Sequence, residues 1–235
     1  MDISLIITRF TSLFPNDYKF EISQTGYYNF FNDKHGRILY YTLGDLKKEG
    51  LSGIGCGISI KCIEELIHPL FKERPHYNVG DTIGLREHCL IFNKNIGEGV
   101  YEFLPINLDK EENVDKACSL IHKFIKQYAE PFFNYWQDIR VFLPFLETDD
   151  SLKINSYFSG YGIEKKIVIW YLCNHPNFTK FIKDLIDSYI QYLNENPSDP
   201  WSKKDFKRLQ SLLKRLEAVK PLYEWSDSYL IPKQP

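Results

Sequence analysis

The chain has 235 residues, of which 43% are hydrophobic, 26% charged and 16% aromatic, with a formal net charge of −2. That length buries enough surface to fold without a disulfide or metal staple, and the near-neutral balance excludes the globally basic signature of a nucleic-acid binder. No apolar run approaches the ~18 residues that span a bilayer, so no membrane partner is expected.

The first residues, MDISLIITRFTSLFPND, have an acidic second position, no basic n-region and no small-residue cleavage site. They read as a short amphipathic helix ending near Pro15, not as a secretory leader. DYKFEIS (17–23) alternates. GYYNFF (26–31) and RILYYTL (37–43) flank NDKHG, a turn signal with its glycine last, so this pair predicts a hairpin.

GLSGIGCGIS (50–59) follows. A dinucleotide fingerprint needs G-x-G-x-x-G after a strand, and a Walker loop needs a Gly-Lys-Ser/Thr end. Neither is here. Ile54, Cys56, Ile58 and Ile60 alternate with Gly53, Gly55, Gly57 and Ser59, which is the period of a strand. One face is then apolar and the other bare backbone, open to a ring, a helix or a ligand. Ser59 suits the N-cap of a helix over about 60–72.

RPHYNVGD reads as a loop, and IGLREHCLIFN and VYEFLPINL as further strands. In the first of these, Arg86 and His88 share one strand face, with Glu87 and Cys89 on the other. That face is a candidate polar site, with a solvated surface as the plainer alternative.

After residue 108 the texture turns helical. LDKEENVDKACSLIHKFIKQYA suggests a capping box from Asp109 and Glu112. EPFFNYWQDIRVFLPFLE carries Pro131 in its first turn and Pro144 near its end. FSGYG (158–162) lacks the first glycine of a nucleophile elbow and reads as a break. GIEKKIVIWYLCN is nearly all apolar and predicts a buried helix. NFTKFIKDLIDSYIQYL has the clearest helical stripe, and SKKDFKRLQSLLKRLEAVK reads as the last helix, capped by Ser202. Its residues 202–220 carry a net +5, leaving −7 elsewhere. Lys203, Lys207, Arg208, Lys214 and Arg215 are the candidate partner-binding residues, since a basic amphipathic helix docks acidic surfaces.

The expected fold class is therefore α+β. A mostly antiparallel sheet in the N-terminal half (1–108) packs with a helical C-terminal half (109–235) in a single domain. Strands and helices do not alternate, which argues against a doubly wound fold. Five loosely spaced cysteines read as reduced thiols of a cytoplasmic protein. The six histidines and the cysteines form no H-E-x-x-H or paired C-x-x-C, so no metal and no cofactor is expected.

The segments TGYYNFF…RILYYTL, GLSGIGCGISIKCIEEL and AEPFFNYW together resemble uncharacterised bacterial α+β proteins of the kind proposed as immunity proteins in polymorphic toxin systems. The likeness spans about residues 17–136. It implies a cytoplasmic, non-catalytic binding protein and carries over no catalytic residue. The expected function is thus a protein-binding module. The alternative is a small-ligand binder or enzyme using Gly53–Gly57 or Arg86/His88, and nucleic-acid contact through 203–220 ranks below both.

Overall fold

The computed structural model describes residues 2–23, 26–48, 50–71, 81–85, 88–89 and 94–233; at 88, 89, 94 and 95 it describes the backbone alone. The chain groups into two compact units. One takes residues up to Ile60 together with Ile83–Gln137, and the other takes Lys61–Thr82 together with Asp138–Lys233. The division does not fall at residue 108.

The first unit is built on a five-stranded antiparallel sheet in sequential order: β1 (Lys19–Ile22), β2 (Tyr28–Lys34), β3 (Arg37–Leu43), β4 (Ile54–Ile60) and β5 (Ile83–Leu85). The β2–β3 hairpin closes on His35 and Gly36, both at positive φ. A two-residue turn of that hand matches the strand twist. Glycine takes the second position without strain, and histidine tolerates the first at some cost.

Register sorts the side chains onto two faces. Phe20, Phe30, Tyr41, Cys56 and Leu85 form one row across all five strands. This face holds the core. Helix α1 (Ile3–Thr11) leads to Phe14, which stacks on Phe30 at 3.9 Å and lies 5.0 Å from Tyr41. Phe133 meets Tyr41 edge-on at 5.2 Å. It comes from α5 (Glu130–Trp136), which continues α4 (Glu111–Phe124) through one wide turn at Ile125–Ala129. There Glu130 N–H reaches back five residues to the Ile125 carbonyl, just ahead of Pro131, which has no N–H to continue the ladder.

Between β4 and α4 lie α2 (Lys61–Ile67, in the second unit), β5, a short ladder of β6 (His88–Cys89) with β7 (Lys94–Asn95), and α3 (Ile96–Gly99). The expected strand in VYEFLPINL does not form. Tyr101–Phe103 is a 3₁₀ turn, and Ile106 makes only an isolated bridge to Leu51.

The second unit is helical: α2, α6 (Leu143–Leu146), α7 (Ser151–Tyr157), α8 (Gly162–Leu172), α9 (Phe178–Glu195) and α10 (Pro200–Leu216). Helix α8 is buried nearly all round, as its composition predicts. Its Lys165 is 1% exposed, and Nζ donates to the carbonyls of Asp81 and Thr82 while lying 3.4 Å from Glu64 on α2. Thr82 Oγ1 donates to the same Glu64 oxygen at 2.7 Å. The ammonium and the Glu64 Oε1 that faces it each have further hydrogen-bond partners, which favours burying an ion pair.

The cap assignments are corrected. Ser59 lies inside β4, and its hydroxyl is buried without a hydrogen-bond partner among the described residues. Lys110, not Asp109, precedes α4, with no side-chain cap. Helix α10 starts earlier than Ser202: Pro200 is its first residue, and Asp199 caps it by accepting from Trp201 N–H at 3.0 Å. Pro144 sits in the first turn of α6, just after Leu143, rather than bending the end of a longer helix.

Candidate functional site, a basic concavity on α10

Helical spacing puts residues three and four apart on one face. On α10 this aligns Lys204, Lys207, Arg208, Ser211, Lys214 and Arg215, which line a concavity of about 630 Å³ with Pro69 and Leu70. Four of the five sequence-derived partner residues therefore converge: Lys207, Arg208, Lys214 and Arg215. Lys203 is exposed and lies outside this lining, and Lys204 takes its place.

The two arginines are held by neighbours. The Arg208 guanidinium stacks over Phe71 at 4.7 Å and donates to Asp205 at 2.6 Å. Phe71 is in turn stacked on Tyr161 at 3.7 Å. Arg215 donates to the Glu65 carbonyl at 2.9 Å. Lys207 and Lys214 are exposed and form no ion pair among the described residues. Two guanidinium forks held by neighbours and a rim of lysines, two of them exposed, suit an anionic surface, because the forks pair carboxylates directionally and the lysines attract at longer range.

At Gly53, Gly55 and Gly57 the structure places protein atoms over two of the three. A Cβ on Gly57 would sit 2.2 Å from Tyr40 Oη, and one on Gly55 would sit 3.1 Å from Thr42 Cγ2. Register explains both, since Tyr40 pairs with Gly57 and Thr42 with Gly55. Gly53 lies before the strand with open space beside it, and its carbonyl accepts from Gly44 N–H. Arg86 and the His88 side chain lie outside the described residues; the His88 backbone pairs with Asn95.

One cluster escaped sequence reasoning. Lys166, fully buried on α8, lies over the rings of Trp170 and Phe181 at 4.2 and 4.4 Å and donates to the Thr148 carbonyl at 2.8 Å. His175 stacks on Trp170 at 3.8 Å. Asn177 N–H donates to His175 Nδ1 at 3.1 Å, so the proton sits on Nε2 and is given to Glu147 at 2.8 Å. Burial lowers the pKa of both His175 and Lys166, against the opposing pull of Glu147 on each and of Asp149 on Lys166. Glu147, Thr148, Lys166, Trp170 and Phe181 border a cavity of about 270 Å³ with Lys180 and Asp184, and His175 lies outside that lining. Both ring nitrogens and the amine already have protein partners, so the cluster acts as a clamp between α8, the start of α9 and the 147–149 segment. The signal in the sequence is a pair of lysines, next to Glu164, inside a helix whose other residues are nearly all apolar.

Among the described residues no group of histidine, cysteine, aspartate and glutamate side chains is arranged to hold a metal ion. None of their helices is long and apolar enough to cross a membrane. No protein-family model, curated protein or solved structure matches the chain.

Proposed function

We propose that this chain is a binding module that docks an acidic protein surface on the basic face of α10. The observation that carries this reading is the concavity itself, whose lining among the described residues holds five cations and no carboxylate. In a chain of net charge −2 that is a concentrated reversal of sign, and complementary patches set specificity and association rate. Neutralisation of a toxin by occupancy, the role implied by the resemblance, fits the same face and is proposed with it.

Affinity capture from the native host, repeated with Lys207→Glu/Lys214→Glu, tests the proposal. The expected partner loses at least about tenfold in affinity to the variant and regains it when its own acidic residues become lysine. Wild-type binding weakens with added salt, because exposed charges are screened. A partner held equally by both proteins refutes the assignment.

A further inference from the structure

Strand β1 is the free edge of the sheet, paired only with β2 among the described residues. All four of its residues are exposed. Phe20 and Ile22 belong to the core-facing row with Phe30 and Tyr28, yet remain 38% and 50% exposed. Apolar core surface thus runs past its cover at this edge. Edge strands are commonly blocked by proline, a bulge or an inward-pointing charge. KFEI has no proline, its register with β2 is unbroken, and its inward residues are apolar.

The backbone at this edge can also be assigned. Ser23 N–H donates to Tyr27 O at 2.8 Å, so the Ser23 backbone N–H points toward β2. Antiparallel ladders alternate hydrogen-bonded and open pairs, so Glu21 and Lys19 bond toward β2. Phe20 and Ile22 then turn their N–H and C=O groups outward, away from the sheet.

We infer that β1 pairs antiparallel with β1 of a second copy of this chain, about a twofold axis through Phe20. Charge complementarity favours that register, since among registers centred on a β1 residue it is the one that sets Lys19 opposite Glu21. Centred on Phe20, it sets Lys19 opposite Glu21 of the second copy, and Glu21 opposite its Lys19. Centring on Glu21 or on Lys19 would instead oppose like charges, and centring between residues would set a core-facing side chain against a solvent-facing one. With the axis at Phe20, the two Phe20 residues exchange both of their outward backbone hydrogen bonds. The two phenylalanines meet on the apolar face, while the Lys19–Glu21 pairs fall at open positions, where cross-strand side chains come closest. The edge is short, so the dimer is a weak one in exchange with monomer.

Sedimentation of the full chain over a concentration series tests the pairing. The wild type shows a reversible dimer that forms with rising concentration. Lys19→Glu weakens it about tenfold, since both symmetry-related pairs become repulsive, and Glu21→Lys does the same. The double variant Lys19→Glu/Glu21→Lys restores the wild-type constant, which loss of folding could not mimic. Phe20→Lys, an inward charge on the edge, removes the dimer. A strictly monomeric wild type, a dimer indifferent to single charge reversal, or a double variant that fails to recover each overturns the inference.

Discussion

The Glu64–Lys165 pair offers the sharpest test of how the second unit is held together. Glu64→Gln keeps shape and the acceptor for Thr82 while removing the negative charge. Lys165 is then left 1% exposed with two backbone carbonyls, a neutral amide and the Phe158 ring at 5.7 Å as its partners, and no opposite charge in contact among the described residues. Breaking one side of a buried pair costs about 3–5 kcal/mol. An independent ceiling comes from proton chemistry. The lysine can escape by losing its proton, and from an ordinary value near 10.4 to pH 7 that costs about 5 kcal/mol. The two figures agree, and they carry a signature. In the wild type, burial already lowers the Lys165 pKa, with Glu64 opposing; the substitution removes that opposition and lowers it further. An amine whose folded pKa is depressed binds fewer protons folded than unfolded, so stability rises with pH between the two values. The deficit of Glu64→Gln is therefore largest near neutrality and shrinks toward pH 10, by at most about 1.4 kcal/mol per pH unit. Urea unfolding of both proteins at several pH values measures this. A cost below about 1 kcal/mol, or one that does not change with pH, refutes the buried, paired state of Lys165.

Two further outcomes follow from named contacts. Gly57→Ala drives a methyl into the Tyr40 ring and is expected to cost about 1–3 kcal/mol. Gly53→Ala meets open space and stays near neutral, and in a Tyr40→Ala background most of the Gly57→Ala cost disappears; denaturation midpoints of the wild type, the three single variants and the Tyr40→Ala/Gly57→Ala double variant read this directly. Protonating His175 would put a hydrogen on Nδ1, where it now accepts from Asn177 N–H at the start of α9. Its folded pKa is lowered, so the unfolded chain binds the proton more readily. The contribution is complete above the ordinary histidine value of about 6.5 and declines as pH falls from there toward the folded pKa. Thermal midpoints should drop across that window in the wild type and drop less in His175→Gln. Equal slopes would remove His175 as the cause.

Much of the architecture was legible in short-range pattern. Period-two alternation marked β1 and β4, and the NDKHG turn signal between two strand-like runs marked the β2–β3 hairpin. The apolar run of α8 and the stripes of α9 and α10 marked the helical unit. Cap chemistry alone misplaces the helix starts. Ser59, Asp109 and Ser202 all have cap chemistry, but a cap works only where the backbone leaves extended geometry. That point lay at Asp199 for α10, where Pro200 is already set for a first helical turn. The strand expected in VYEFLPINL failed because β propensity describes a pleated, half-buried surface, and only Ile106 meets a partner strand position there.

By itself the sequence determined which residues could face a core, where the chain must turn, and that α10 carries a concentrated positive face. Those properties follow from side-chain size, polarity and local backbone freedom. Only the tertiary structure decided what stands opposite each face. Register laid Tyr40 over Gly57, the approach of α2 to α8 set Glu64 beside Lys165, and the placement of Pro69 and Leu70 turned the basic face of α10 into a concavity. Such pairings depend on long-range geometry that no local window contains, which is why the glycines looked open in one dimension and are largely covered in three.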